Sequence, residues 1–103
     1  MYSRVTLLEI DTMRVGMGDA VALFHEQVLP HLTELEGYEG VVVLTTPEGK
    51  GMLVSFWATE EAAAASSEFA GGELERFMTM FRSPPGREHY EVAFADMPGV
   101  LTG

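Results

Sequence analysis

The 103-residue chain carries 16 acidic residues against six Lys and Arg, a formal net charge of −10, with 47% apolar and 21% charged residues and no cysteine. This is the composition of one soluble domain with a modest core, and its acidity argues against nucleic acid or an anionic membrane surface, both of which call for a Lys/Arg-rich face. A disulfide framework, a thiolate nucleophile and a Cys-ligated metal are excluded, no run approaches the ~20 apolar residues of a membrane span, and no signal-peptide pattern opens the chain, so a cytoplasmic location is expected.

Tyr2–Asp11 reads as a first strand. Its period-two alternation puts Arg4, Thr6, Leu8 and Ile10 on one face and Ser3, Val5, Leu7 and Glu9 on the other, so neither face is purely polar. A glycine-containing loop follows, and Asp19 is a candidate N-cap for a helix reaching about Glu36. Val21, Phe24, Val28, Leu32 and Leu35 are spaced 3, 4, 4 and 3, one helical stripe. Pro30 removes a backbone donor and crowds the preceding turn, which predicts a kink near Glu26–Leu29. Gly37 suits a left-handed exit from the helix.

Val41–Thr46 and Gly51–Ala58 form a hairpin around Pro47-Glu48-Gly49-Lys50, whose Pro and Gly supply the turn. Thr59 is the N-cap of a second helix, with Glu60 and Glu61 at the positive end of its dipole. Gly71-Gly72 is expected to break it after Ser67, with Glu73–Phe81 resuming and burying Leu74, Phe77, Met78 and Phe81. Ser83-Pro84-Pro85-Gly86 ends the helical region, and His89–Ala95 is a last strand with Tyr90, Val92 and Phe94 on one face. The domain is expected over residues 1–96, with a tail over 97–103.

The order β-α-β-β-α-β predicts an α+β, ferredoxin-like antiparallel sheet with both helices on one face. The third strand is apolar on both faces, through Met52, Val54 and Phe56 on one and Leu53 and Trp57 on the other. A sheet with one solvated face alternates apolar with polar. Two helices cover one side only, so a second subunit is expected to cover the other, giving a homodimer through the sheet face.

Four stretches carry a family resemblance: Val28-Leu29-Pro30, Leu35-Glu36-Gly37-Tyr38-Glu39-Gly40, Phe56-Trp57-Ala58-Thr59-Glu60-Glu61-Ala62 and His89-Tyr90-Glu91-Val92-Ala93. With them the chain, from Tyr2 to about Ala95, resembles the antibiotic biosynthesis monooxygenase (ABM) family of the dimeric α/β-barrel superfamily. The resemblance implies two subunits packed sheet to sheet, each with a cavity between its own sheet and helices. Some members oxidise polyphenolic or anthrone-like molecules with dioxygen and no bound cofactor; others bind and degrade haem. The haem-degrading branch relies on an asparagine, a second tryptophan and a histidine ligand. This chain has no asparagine and a single tryptophan, with Ser66 and Arg76 about where the second tryptophan and the histidine would stand. Trp57 matches a tryptophan of the cofactor-free oxygenases, whereas their asparagine and tyrosine fall on Leu53 and Ala63.

Cofactor-free oxygenation needs an apolar cavity, a proton acceptor and a donor for the developing oxyanion. His25, beside Phe24 at the edge of the stripe, is the candidate base, and Trp57 the second candidate catalytic residue. Phe24, Leu53, Ser55, Trp57 and Tyr90 are candidate substrate-binding residues. The plainer readings are a half-exposed helix histidine, a core tryptophan with a satisfied N–H, and a packing tyrosine. His31 reads as a surface residue, and His89 is expected on the face opposite Tyr90, with a structural role or a place at the dimer contact. No cofactor and no metal site are expected: His25-Glu26-Gln27-Val28-Leu29 lacks the second histidine of a zinc-protease helix, and Gly16-Met17-Gly18-Asp19-Ala20-Val21 lacks the third glycine of a dinucleotide loop. Two functions fit these residues: a cofactor-independent monooxygenase acting on an aromatic or quinol-type molecule, or a non-catalytic dimer that binds a hydrophobic small molecule or serves in stress.

Overall fold

A computed structural model describes residues 1–99. Four strands, β1 (Tyr2–Glu9), β2 (Tyr38–Thr45), β3 (Lys50–Trp57) and β4 (Gly86–Glu91), form one antiparallel sheet in the order β2-β3-β1-β4. The two central strands are the first and third, as the ferredoxin-like arrangement requires. Three boundaries differ from expectation. β2 starts at Tyr38, three residues early, because a bulge between Tyr38 and Gly40 lets the strand pair up to Trp57. β1 ends at Glu9, and Ile10 makes a separate bridge to Phe81. β4 occupies Gly86–Glu91 rather than His89–Ala95, since it pairs along β1 from Leu7 to Tyr2. Phe94, expected in that strand, is exposed beyond its end, and the last four residues of the expected tail lie outside the described residues.

The first helical segment begins after Gly16, which is its N-cap in place of Asp19; Asp19 sits inside the first turn, where its charge meets the helix dipole. It runs as α1 (Met17–Leu23), a π-helical turn (Phe24–Val28) and α2 (Leu29–Leu32). The expected kink is this π-turn. The Leu29 N–H reaches back five residues to the Phe24 carbonyl, and the wider turn accommodates Pro30, which has no N–H to donate. A short turn then leads to Gly37, at φ 81°, where an added Cβ would stand 2.5 Å from that of Ala62.

Thr59 caps α3 (Glu60–Arg76), its hydroxyl accepting from the Ala62 N–H at 3.1 Å. The helix does not break at Gly71-Gly72. Gly71 is retained inside it because the Arg87 guanidinium of β4 passes 3.4 Å from where a Cβ would be, on its way to donate to the Ser67 carbonyl. Met78, expected to be buried, is exposed in a single 3₁₀ turn, Met78–Met80.

Both helical layers lie on the same side of the sheet. Leu32, Trp57 and Ala63 form the buried core beneath them, joined by Phe24, Leu35, Tyr38 and Phe69. The other side of the sheet carries Val5 and Leu7 of β1, Val42 and Leu44 of β2, and Met52, Val54 and Phe56 of β3, paired across the strands. Among the described residues no helix packs on this side, and of these side chains Leu7 is 48% exposed and Leu44 52%. Among the described residues no helix is long and apolar enough to cross a membrane.

Candidate functional site

Between sheet and helices lies a cavity of about 110 Å³. Its floor follows from the period-two alternation of the strands, which sends Arg4, Thr6 and Leu8 of β1, Val43 of β2 and Leu53 of β3 to the helix side. Its roof is the apolar stripe of the first helical segment, Val21, Phe24, Val28 and Leu32, with Phe69 and Phe77 closing it from the second. The stripe survives the π-turn because Phe24 and Val28 lie at its two ends and both still face the sheet. The cavity is thus walled by rings and branched aliphatic groups, the usual lining of a site for an apolar small molecule.

Of the residues singled out from sequence, Phe24 and Leu53 line this cavity. Ser55 and Trp57 continue the same face of β3 but sit beyond the cavity, in the packed core, and neither has any exposed surface. The Trp57 indole N–H donates to the Ser55 hydroxyl at 2.9 Å, and its ring meets Tyr38 edge-on at a centroid distance of 5.7 Å. His25 is exposed and is not among the residues that line the cavity. It follows Phe24 by one residue and is turned roughly a quarter circle away from the cavity. Tyr90 lies on the uncovered side of the sheet, half exposed, its hydroxyl donating to Glu88. His89 takes the helix side, its Nε2 2.8 Å from the Ser67 hydroxyl, so it stands away from the uncovered face. His31 is exposed.

The polar groups of the cavity are others. Arg4 is 2% exposed and lies in the floor. One Nη donates to the Ser66 hydroxyl, whose O–H in turn donates to the Ala63 carbonyl at 2.7 Å. The guanidinium carbon stands 5.7 Å from the centre of the Trp57 ring, a cation–π contact. Burial, with a smaller push from Arg87, lowers the Arg4 pKa from 12.5 to about 10, so the group stays charged at neutral pH. Thr6 stands two residues along. Glu73 of α3 contributes to the wall and is held at 2.7 Å by Arg76, which also donates to Gln27 of the π-turn at 3.2 Å. Sequence alternation had already placed Arg4 on one face with Leu8 and Ile10; a lone cation among apolar strand partners was the signal for it. Among the described residues no three His, Asp or Glu side chains come together as a metal site.

No protein-family model matches the chain. It is 31% identical over 94 residues to the uncharacterized protein Rv2558 of Mycobacterium tuberculosis and 30% identical over 94 residues to Rv2557 of the same organism. The match takes in 90% of this chain but 39% and 41% of those proteins, so the chain spans about two fifths of the length of the curated relatives it matches. Among solved structures, the NE2512 protein of unknown function from Nitrosomonas europaea superposes with a TM-score of 0.73 at 21% identity, covering 96% of this chain and 95% of that one. The monooxygenase of the ActVA-Orf6 gene of Streptomyces coelicolor, solved with the ligand nanaomycin D, gives 0.71 at 16% identity and 94% and 91% coverage. The haem degrader MhuD of M. tuberculosis, with two haems in its active site, gives 0.68 at 14% identity and 93% and 99% coverage.

Proposed function

From the antibiotic biosynthesis monooxygenase fold of this chain, we propose a cytoplasmic homodimer that binds a hydrophobic, ring-type small molecule in the cavity of each subunit. The ring-walled cavity over Leu53 carries this reading. Haem does not fit the residues present: no histidine among the described residues lines the cavity to ligate iron, and a site of about 150 Å³ is known to hold one benzene ring. The homodimer is supported by the uncovered valines and leucines, which are apolar where a solvated face would alternate with polar residues.

The test is a titration with ethylbenzene, followed by NMR and by thermal melting. A ligand that binds only the folded protein raises its melting temperature in proportion to ln(1 + [L]/Kd). We expect saturable shifts at Phe24, Leu53 and Phe69 and a rise in Tm. Leu53→Phe, which puts a ring into the cavity, is expected to remove both responses. An unchanged Tm and unchanged spectrum at ethylbenzene saturation sink the proposal.

A second reading is favoured by the presence of one carboxylate, Glu73, and one guanidinium, Arg4, on the walls of the same cavity, with no ion pair between them. These are the two charges that cofactor-independent monooxygenation needs: a proton acceptor, and a cation for the oxyanion. A single-ring phenol that loses its proton to Glu73 would react with dioxygen at the para carbon and collapse to a quinone and water. Oxygen uptake with a single-ring phenol and a single-ring hydroquinone, above a no-protein blank and lost in Glu73→Gln, is the expected result of that reading. Rates equal to the blank for both substrates decide for the non-catalytic binding protein.

A further inference from the structure

A guanidinium enclosed by protein normally has a carboxylate beside it, because an unpaired buried charge is costly. Among the described residues, none of the sixteen Asp and Glu side chains forms an ion pair with Arg4. The ion pairs among the described residues join Arg14 to Asp11, Arg76 to Glu73 and Arg82 to Glu9. Arg4 has one hydroxyl, the face of Trp57, and an Nε–H that is buried without a partner. The charged groups that face it from the packed elements do not relieve it. Across the register, β4 sets His89 opposite Arg4 and Arg87 opposite Thr6, and the Arg87 charge repels it. Glu73, the carboxylate of the same cavity, is committed to Arg76 at 2.7 Å. The cavity therefore holds one uncompensated positive charge, at its floor, in a protein whose net charge is −10.

We propose that Arg4 is the anchor for an anionic oxygen, and that the ligand of the cavity is a small aromatic acid: one ring among Phe24, Leu53 and Phe69, its carboxylate on the Arg4 guanidinium. The inference rests on the small-molecule reading above and adds the ligand's charge and size. A guanidinium is a planar fork of N–H donors matched to the two oxygens of a carboxylate, and the free Nε–H supplies one tine. Trp57 and Ser66 hold the guanidinium in place. The cavity, at about 110 Å³, is nearer to the roughly 150 Å³ that takes a benzene ring than to the 300 Å³ and more of drug-sized sites, which selects a single ring.

Three probes separate the parts: phenylacetate, its neutral isostere phenylacetamide, and ethylbenzene, titrated calorimetrically at pH 7 into the full chain and into Arg4→Met. The expected result is phenylacetate binding at least tenfold tighter than phenylacetamide to the native protein, with the preference gone in Arg4→Met and ethylbenzene binding retained. Ligand-free Arg4→Met is expected to melt no lower than the native protein, since it loses a buried unpaired charge; a guanidinium kept for stability alone would give a lower Tm. Should Arg4→Met not fold, the Arg4 Nε–H resonance of the native protein decides: phenylacetate must shift it and phenylacetamide must leave it in place. Equal affinity for the two, or a preference that survives in Arg4→Met, overturns the anion anchor while ethylbenzene binding leaves the cavity reading standing. If none of the three probes binds, both fall.

Discussion

Trp57 is the residue on which packing depends most. It has no exposed surface, its ring is met edge-on by Tyr38 and from one side by Arg4, and its single donor is used within the fold. Removal of so large a buried ring leaves a void that its neighbours only partly close. Trp57→Ala is expected to cost about 3–5 kcal/mol, read as a lowered urea midpoint at unchanged slope. A loss under 1 kcal/mol would mean that the ring is far less enclosed than described. The division of labour on β3 follows: Leu53 faces the cavity, whereas Ser55 and Trp57 close the core beside it. Alternation put all three on one face, and nothing in the sequence marks where along that face the helices stop touching the sheet.

At the scale of elements, α3 shows how much of the structure was legible and why some was not. Thr59 with its following glutamates gives a clear start, and the cap forms as expected. Gly71-Gly72 reads locally as a stop, since glycine is poor in helices, but the helix runs through both to Arg76. The two positions are physically different. Gly72 has nothing within 4 Å of an added Cβ, whereas at Gly71 that atom meets the Arg87 guanidinium at 3.4 Å. Gly72→Ala should therefore stabilise by about 0.5–1 kcal/mol, the ordinary helix-interior difference, and Gly71→Ala by less. Denaturant titration of both variants checks the ranking; an equal gain at both sites would mean that Arg87 gives way freely. The π-turn was legible only as a kink at Pro30, because the residues that widen it carry no signature of their own. β4 was placed three residues late for a similar reason: Gly86, Arg87 and Glu88 look like loop residues until their β1 neighbours are known.

For the whole molecule, the topology was readable from the order of periodic segments, and the uncovered side of the sheet from strands that are apolar on both faces. Val54 is at its centre, paired to Val5 on one neighbour and Val42 on the other. Val54→Asp places a charge where two sheets would meet, and light scattering is expected to show two chains per particle for the native protein and one for the variant. A native mass of one chain at micromolar concentration refutes the dimer. The alkaline limit of stability is also collective. All three tyrosines ionise above their ordinary value of 10.0: Tyr2 through the charge of Glu91, Tyr38 through burial, and Tyr90 through its hydrogen bond to Glu88. A raised folded-state pKa is stability fully present below the unfolded value and lost as pH climbs through the folded one. The tyrosine contribution is therefore expected to be constant up to about pH 9 and to decline above pH 10, which ultraviolet titration beside melting curves will follow. Phenolate absorbance that rises at its unperturbed pH in the folded protein would contradict it.

The outer strands give the sheet a further property. β4 ends it on one side with Arg87, Glu88, His89 and Glu91 in a fully exposed row, and β2 ends it on the other with the bulge at Tyr38/Gly40 and the charge of Glu39. Charged and bulged borders discourage a foreign strand from adding in register. In the proposed homodimer, contact would run through the flat side of the sheet and not its rims, so that stacking of two copies would consume the adhesive surface of both and leave no template for a third. The proposed homodimer would in this way be a closed pair and not the start of a fibre.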